Sequence, residues 1–422
     1  MQVLLSGLFF CVFIFGITAY SSAGTVAEYK GTWEYEALQL QSKIDFYAPL
    51  GKAAFITTHN SYNAGVYSQN GSYADPNHKI SIYDQLEIGV RAIELDVHYV
   101  FSTSGYWPWE WTFSEELKLC HGNGNIGCHP NDRYFTQGLG EIRNWINNNP
   151  NEVLIIYIEN HMEGEYDKAI SEMNGIIGDL IYKPNGCQSL PMNISKSDVI
   201  NAGKQILIIG GNCATTNWAN YAFNGHFSAS LGHENLLAYP DCSCSGRDAD
   251  YMQNNLVRMY EDSTKLSAMF GDPGPRIEAD DAAKMAKCGV GAIGLDQIIP
   301  FDSRLGAQIW SWGENEPNNA GEEDCAIQRS DGRFNDVSCS GSYYAACQDP
   351  ATGDWSITDD TYTWDQASSA CSAMGMNFSV PVNGYQNALL QDIKSDMNIG
   401  EIWLNYSDKL NEGDWMPGFF KF

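Results

Sequence analysis

Between residue 50 and about residue 312, short apolar runs rich in β-branched side chains alternate with amphipathic stretches. "AAFITTHN" precedes "KISIYDQLEIG", and "RAIELDVHYV" and "EELKLCHG" flank a Trp-rich loop at 101–113. "QGLGEIRNWINNNP" places Leu139, Ile142 and Ile146 at helical spacing, and "YDKAISEMNGIIGDLI" and "RIEADDAAKMAKCG" read as further helices. "LIIYIENH", "KQILIIGG", "AIGLDQ" and "AQIWSW" read as strands. Alternation of this kind predicts an α/β fold with a parallel sheet. Its length suits a (β/α)8 barrel, in which catalytic groups sit at the C-terminal ends of strands. His59, Glu94, Asp96, His121, Glu159 and Asp296 fall at such ends. After Trp312 the pattern changes to Gly, Asn and Asp with four cysteines, and a boundary is placed near 306–313. The expected organisation is a signal at 1–24, a barrel at 25–312 and a smaller disulfide-bonded α+β region at 313–422.

The first residues, "MQVLLSGLFFCVFIFGITAYSSAG", form an apolar run followed by small residues. They read as a secretory signal cleaved near Ser22 to Gly24, with a single-pass anchor as the alternative. A secreted chain should pair most of the eleven cysteines left after Cys11, with one over. Sequons stand at Asn70, Asn193, Asn377 and Asn405. A net charge of −28 argues against nucleic acid as a partner, because counterion release needs clustered Lys and Arg. It also disfavours an anionic lipid surface unless divalent cations intervene.

In "RAIELDVHY", Glu94, Asp96 and His98 share one face of a strand. Two carboxylates on one face repel each other unless a cation joins them, and hard oxygen ligands suit Ca²⁺ or Mg²⁺. Glu159 adds a third carboxylate and Asn60 an amide oxygen. His59 and His121 end separate strands, and two imidazoles beside such a cation fit acid–base cleavage of a phosphodiester.

"THNSY", "GVRAIELDVHY", "LCHG" and "VLIIYIENHM" resemble, in order and approximate spacing, the X region of phosphatidylinositol-specific phospholipases C of the Ca²⁺-dependent eukaryotic type. The resemblance covers roughly residues 50–310. It implies His59 and His121 as the catalytic pair and Asn60, Glu94, Asp96 and Glu159 as Ca²⁺ ligands. By the same resemblance, Arg91 and Lys204 would contact the substrate and His161 would stand behind the ligands. The inositol 2-hydroxyl would attack phosphorus, His59 would stabilise phosphoryl charge and His121 would protonate the departing diacylglycerol. The implied partner is a phospholipid at a membrane surface. No pleckstrin, EF-hand or C2 module is present.

In the tail, "WGENEPNNAGEEDCAIQRSDGRFNDVSC" resembles the second half of a C-type lectin domain, with Phe334 where that family has Trp. The resemblance implies a Ca²⁺ held by Glu316, Asn318, Glu323, Asn335 and Asp336 and a mannose-type carbohydrate as partner. The family's first half resembles what comes afterwards, "TWDQASSACSAMGMNFSVPVNGYQNALLQDI" and "EIWLNYSDKLNEGDW". Either the two halves fold together as a permuted domain, or residues 360–422 begin a truncated second copy. The permuted arrangement implies bridges Cys325–Cys339 and Cys347–Cys371. Two other functions compete with the phospholipase reading. One is a carbohydrate-binding protein on a barrel without catalysis, and the other is a phosphodiesterase acting on glycerophosphodiesters or sphingolipids.

Overall fold

The structure is a computed structural model and describes residues 24–104, 112–121, 128–225, 229–231, 254–265 and 276–418. The expected signal therefore lies almost wholly outside the described residues, as does most of the Trp-rich loop. Among the described residues no helix is long and apolar enough to cross a membrane.

The first sheet has eight strands: β1 Phe55–Thr58, β2 Ala92–Ser104, β3 Thr112–Leu119, β4 Leu154–His161, β5 Ile206–Ile209, β6 Ala229–Leu231, β7 Val257–Tyr260 and β8 Ala292–Leu295. Their order is β5-β4-β2-β1-β8-β7-β6, every neighbour pair is parallel, and β3 folds back antiparallel on β2. This is the α/β fold that the alternation predicts, curled around β1. The ring is not continuous among the described residues, since no ladder joins β5 to β6 there. A lone parallel bridge between Ile209 and Phe223 extends the β5 edge.

The helices cover the sheet through their apolar stripes. Helix Phe135–Asn148 buries Phe135, Leu139, Ile142 and Ile146, a spacing of three to four residues that keeps one face on the core. Its Gly138 lies so near Leu119 that a Cβ would come within 2.7 Å of the leucine methyl, so this close approach requires glycine. Helix Trp33–Ile44 starts at the Thr32 cap, whose hydroxyl accepts from the Tyr35 N–H, and buries Ala37, Leu38, Leu40 and Ile44.

One predicted strand is absent. "AQIWSW" is the end of helix Ser303–Ala307 followed by irregular chain, with Trp310 and Trp312 buried. The Gln41 carboxamide oxygen accepts from the N–H groups of Trp310 (2.8 Å) and Ser311 (3.2 Å), where a strand ladder would have supplied a carbonyl.

The second sheet has seven strands: β9 Cys325–Gln328, β10 Phe334–Val337, β11 Tyr344–Gln348, β12 Trp355–Ile357, β13 Asn377–Phe378, β14 Ile402–Ser407 and β15 Met416–Pro417. β14 pairs antiparallel with β9 and parallel with β11, so both halves of the tail share one sheet. Cys325–Cys339 and Cys347–Cys371 are disulfides, and all but Cys339 are fully buried in a small core with Ile327, Phe378 and Trp403. A single apolar cluster runs from the first sheet into the second through Trp310, Trp312, Phe334 and Tyr406.

Candidate functional site

Period two in β2 turns Ile93, Leu95 and Val97 into the apolar cluster and Glu94, Asp96 and His98 to the other face. The β2–β4 register sets Asp96 beside Glu159 and His98 beside His161. Glu94, Asp96 and Glu159 consequently bring one carboxylate oxygen each to within 4.8 Å of one another. The imidazoles of His98 and His161 stack at 4.2 Å between centroids. His161 Nε2 lies 2.9 Å from Glu159 Oε1, and that contact holds the Glu159 pKa below its ordinary value.

Asp96 is buried, and desolvation pushes its pKa up to about 6 against the pull of His121. Its Oδ2 accepts from Tyr62 (2.7 Å) and meets His121 Nδ1 at 3.1 Å. The His121 side chain is 50% exposed, and the Asp96 contact raises its pKa. Asn60 follows β1 in the left-handed region (φ 48°). Its backbone N–H donates to Glu94 Oε2 (3.4 Å), and its amide, turned with nitrogen toward Asp96, donates there at 3.1 Å. His59 is buried, with its ring against Tyr260 and its Nδ1 3.6 Å from Asp296 Oδ1. Burial opposes the charge on His59, but Glu94 and Asp296 outweigh it and raise the pKa to about 9. The structure thus gathers His59, Asn60, Glu94, Asp96, His121 and Glu159 at one end of the sheet.

Asp296 is held by Asn77 (2.8 Å) and by the Ser263 N–H (2.7 Å). His78 Nε2, 2.7 Å from the His59 carbonyl, fixes the β1 end. Arg258 on β7 was not anticipated. Its guanidinium is buried, pairs with Glu94 and stacks over Tyr260. The signal was a lone cation between Val257 and Met259 in an otherwise apolar four-residue strand.

Arg91 and Lys204 are corrections. Both precede their strands, at the N-terminal ends, opposite the carboxylates. Arg91 pairs with Glu152 (2.8 Å), donates to the Leu86 and Val90 carbonyls and lies over Trp145. Lys204 Nζ donates to the Asp179 carbonyl (2.8 Å). They brace loops and do not reach a ligand bound at the other end.

In the tail, Asn318 donates to Glu316 Oε2 through both its backbone N–H (3.0 Å) and its amide (2.7 Å). Asp336 accepts from the N–H groups of Asn318 and Asn319. Burial, with the Asp336 carboxylate beside it, raises Glu316 to a pKa of about 7. The other two expected ligands turn elsewhere: Glu323 accepts from the Ala320 N–H and the Asn335 amide donates to the Asp336 carbonyl. Glu316, Asn318 and Asp336 are thus joined directly to one another by hydrogen bonds, while Glu323 and Asn335 each bond to a neighbouring main-chain group.

Cys120–Cys128 closes a loop directly after β3, beside His121. Cys187–Cys213 is also formed, and Cys288 is disulfide-bonded. Cys242 and Cys244 lie outside the described residues.

Comparison with known proteins gives a match over residues 18–302 to the family described as the Rv2075c PI-PLC-like domain. Two Mycobacterium tuberculosis proteins are similar along most of the chain: MT2135 of strain CDC 1551 and Rv2075c of strain H37Rv, each described as uncharacterized. Each is 31% identical over 403 residues, covering 90% of this chain and 80% of the relative. Among solved structures, a phosphatidylinositol-specific phospholipase C from Listeria monocytogenes superposes with a TM-score of 0.45 at 14% identity, over 65% of this chain and 98% of the other. A variant of the Staphylococcus aureus enzyme gives 0.42 at 13% identity, over 66% and 98%.

Proposed function

The chain belongs to the Rv2075c PI-PLC-like domain family, and from that premise we propose that it is a secreted phosphoric diester hydrolase. In this reading it cleaves phosphatidylinositol-type lipids at a membrane surface to diacylglycerol and a cyclic inositol phosphate. The observation that carries the reading is the meeting of two imidazoles with three carboxylates at the C-terminal ends of parallel strands.

His59, charged at neutral pH because Glu94 and Asp296 outweigh its burial, would stabilise negative charge on the phosphoryl oxygens. His121 is half-exposed and bonded to Asp96, so it can hand a proton to the departing glycerol oxygen. Arg258 is aimed into the same end of the sheet and would add positive charge near phosphorus.

The residues also fit a divalent cation. Glu94 and Asp96 are buried and Glu159 is partly exposed, and three carboxylates whose oxygens lie within 4.8 Å of one another repel unless a cation joins them. Glu94, Asp96 and Glu159 would hold Ca²⁺ through hard oxygen ligands, and Asn60 would join them if its amide presented oxygen in place of the nitrogen it now turns to Asp96. Bound there, Ca²⁺ would lower the pKa of the attacking hydroxyl and neutralise developing charge. In the tail, Glu316, Asn318 and Asp336 would supply the start of a sugar-directed Ca²⁺ site and a means of targeting.

The test is incubation of purified protein with phosphatidylinositol vesicles in Ca²⁺, Mg²⁺ or chelator, alongside His59→Ala and His121→Ala. Cyclic inositol phosphate should form in Ca²⁺ with the wild type and fall by about 10²-fold or more in either variant. Equal release by wild type and both variants would refute the assignment.

A further inference from the structure

At the opposite end of the first sheet from the carboxylates lies a cavity of about 710 Å³. It is bounded by the N-terminal ends of β1, β2, β4 and β8, by helix Trp33–Ile44 and its continuation, and by residues of the tail. The volume is within the roughly 300–1,000 Å³ range of small-molecule sites. Much of the wall is apolar, including Phe46, Phe55, Ile293, Trp310 and Met416.

The charged residues on the wall are unequal in number. Three carboxylates are each engaged by a cation: Asp45 by Lys196 (2.6 Å), Glu152 by Arg91 (2.8 Å) and Asp414 by Lys43 (2.9 Å). The fourth cation, Lys52, has no ion pair or hydrogen bond to its ammonium among the described residues. Its backbone is fixed on both sides: its N–H donates to the Pro49 carbonyl (2.8 Å), and its own carbonyl accepts from the Asn383 amide (3.1 Å). The side chain is half-buried, and desolvation pulls its pKa down with nothing opposing it. Among the described residues, one cation of a chain with 52 acidic and only 24 basic residues is thus unmatched in a concave, largely apolar place. A partly desolvated ammonium without a partner is costly, and an anion arriving from solution would relieve that cost.

We propose that this cavity binds an amphipathic organic monoanion, a carboxylate carried on a hydrocarbon chain, with its head on Lys52 and its chain along the apolar wall. The surplus among the described lining residues is a single charge, and the Asp45 and Glu152 carboxylates on the same wall disfavour a dianion. The site is separate from the phosphodiester centre, so occupancy does not depend on His59 or on a bound metal.

The probe is decanoate, titrated calorimetrically below its micelle concentration into the full chain in chelator, with 1-decanol as the uncharged control. Wild type should bind one decanoate and bind decanol more weakly. Lys52→Met should weaken decanoate by about tenfold or more, the size of one charge-assisted contact. Lys52→Arg should restore most of the binding, and His59→Ala should bind as wild type does. Amine acetylation on the wild type, read by mass spectrometry, gives a measurement that does not depend on the variants folding. Saturating decanoate should slow modification of Lys52. The proposal is overturned by any one of four results: no binding to wild type, equal binding by folded Lys52→Met, loss of binding in His59→Ala, or an unchanged acetylation rate at Lys52.

Discussion

Replacing Asp296 by Asn isolates the electrostatic contribution that keeps His59 charged. The carboxylate is buried, 3.6 Å from His59 Nδ1, and the Asn side chain can still accept from the Ser263 N–H. A unit charge at about 4 Å interacts by about 4 kcal/mol at an effective dielectric near 20. At 1.36 kcal/mol per pKa unit that is roughly three units, which would take the His59 pKa from about 9 to about 6. His59 would then change from almost wholly protonated at pH 7.5 to about 3% protonated. If the imidazolium stabilises phosphoryl charge, activity at pH 7.5 falls by about 30-fold. The sign follows from the lowered pKa: acid restores the charged form, so the ratio of variant to wild-type rate should climb by about 15-fold between pH 7.5 and pH 6. The direct assay is an NMR titration of the His59 ring in chelator, with phosphatidylinositol turnover in Ca²⁺ as the functional readout. A His59 pKa that stays near 9 in the variant, or a rate loss equal at both pH values, would refute the reasoning.

Arg91→Met should leave kcat unchanged, because Arg91 lies at the other end of β2 from the carboxylates. It should cost about 3 kcal/mol in stability by stranding Glu152 and two carbonyls, read as a lowered midpoint in urea. Gly384→Ala should lower the melting temperature, because its Cβ would come within 2.5 Å of the Ala286 carbonyl oxygen where a tail helix meets a barrel helix. Overpacking of this kind costs about 1–3 kcal/mol, and the folded variant should still turn over substrate normally.

The residues of the candidate site were legible in the sequence to the extent that they sit in short motifs on strands. Period two in "IELDVH" is enough to put Glu94 and Asp96 on one face, and an apolar run ending in "ENH" marks β4 as buried until its C-terminal end. Nothing local pairs β2 with β4, so the stacking of His98 on His161 and the approach of Glu159 to Asp96 became visible only in the register. Arg91 was misjudged because it stands three residues before Glu94. In a strand that separation is about 10 Å toward the far end, and adjacency in sequence conceals it. Arg258 was missed because β7 is four residues long and its partner Glu94 is 164 positions away. The tail was half legible: the resemblance of its two halves to a lectin domain implied its two bridges, whereas the sharing of one sheet became visible only where β9 meets β14.

That meeting of distant segments sets an order in time. The Tyr406 hydroxyl donates to the Leu40 carbonyl across 366 positions, and the Trp33 indole donates to the Glu316 carbonyl across 283. Helix Trp33–Ile44 is synthesised long before the part of its seat that Glu316 and Tyr406 supply. Its docking cannot be completed until β14 has been delivered. Contacts of such long separation close slowly, since the chain loses loop entropy before the packing compensates it. The docking of this helix is therefore completed only after β14 has been made. During that wait the exposed apolar face of the helix is the surface a chaperone would cover.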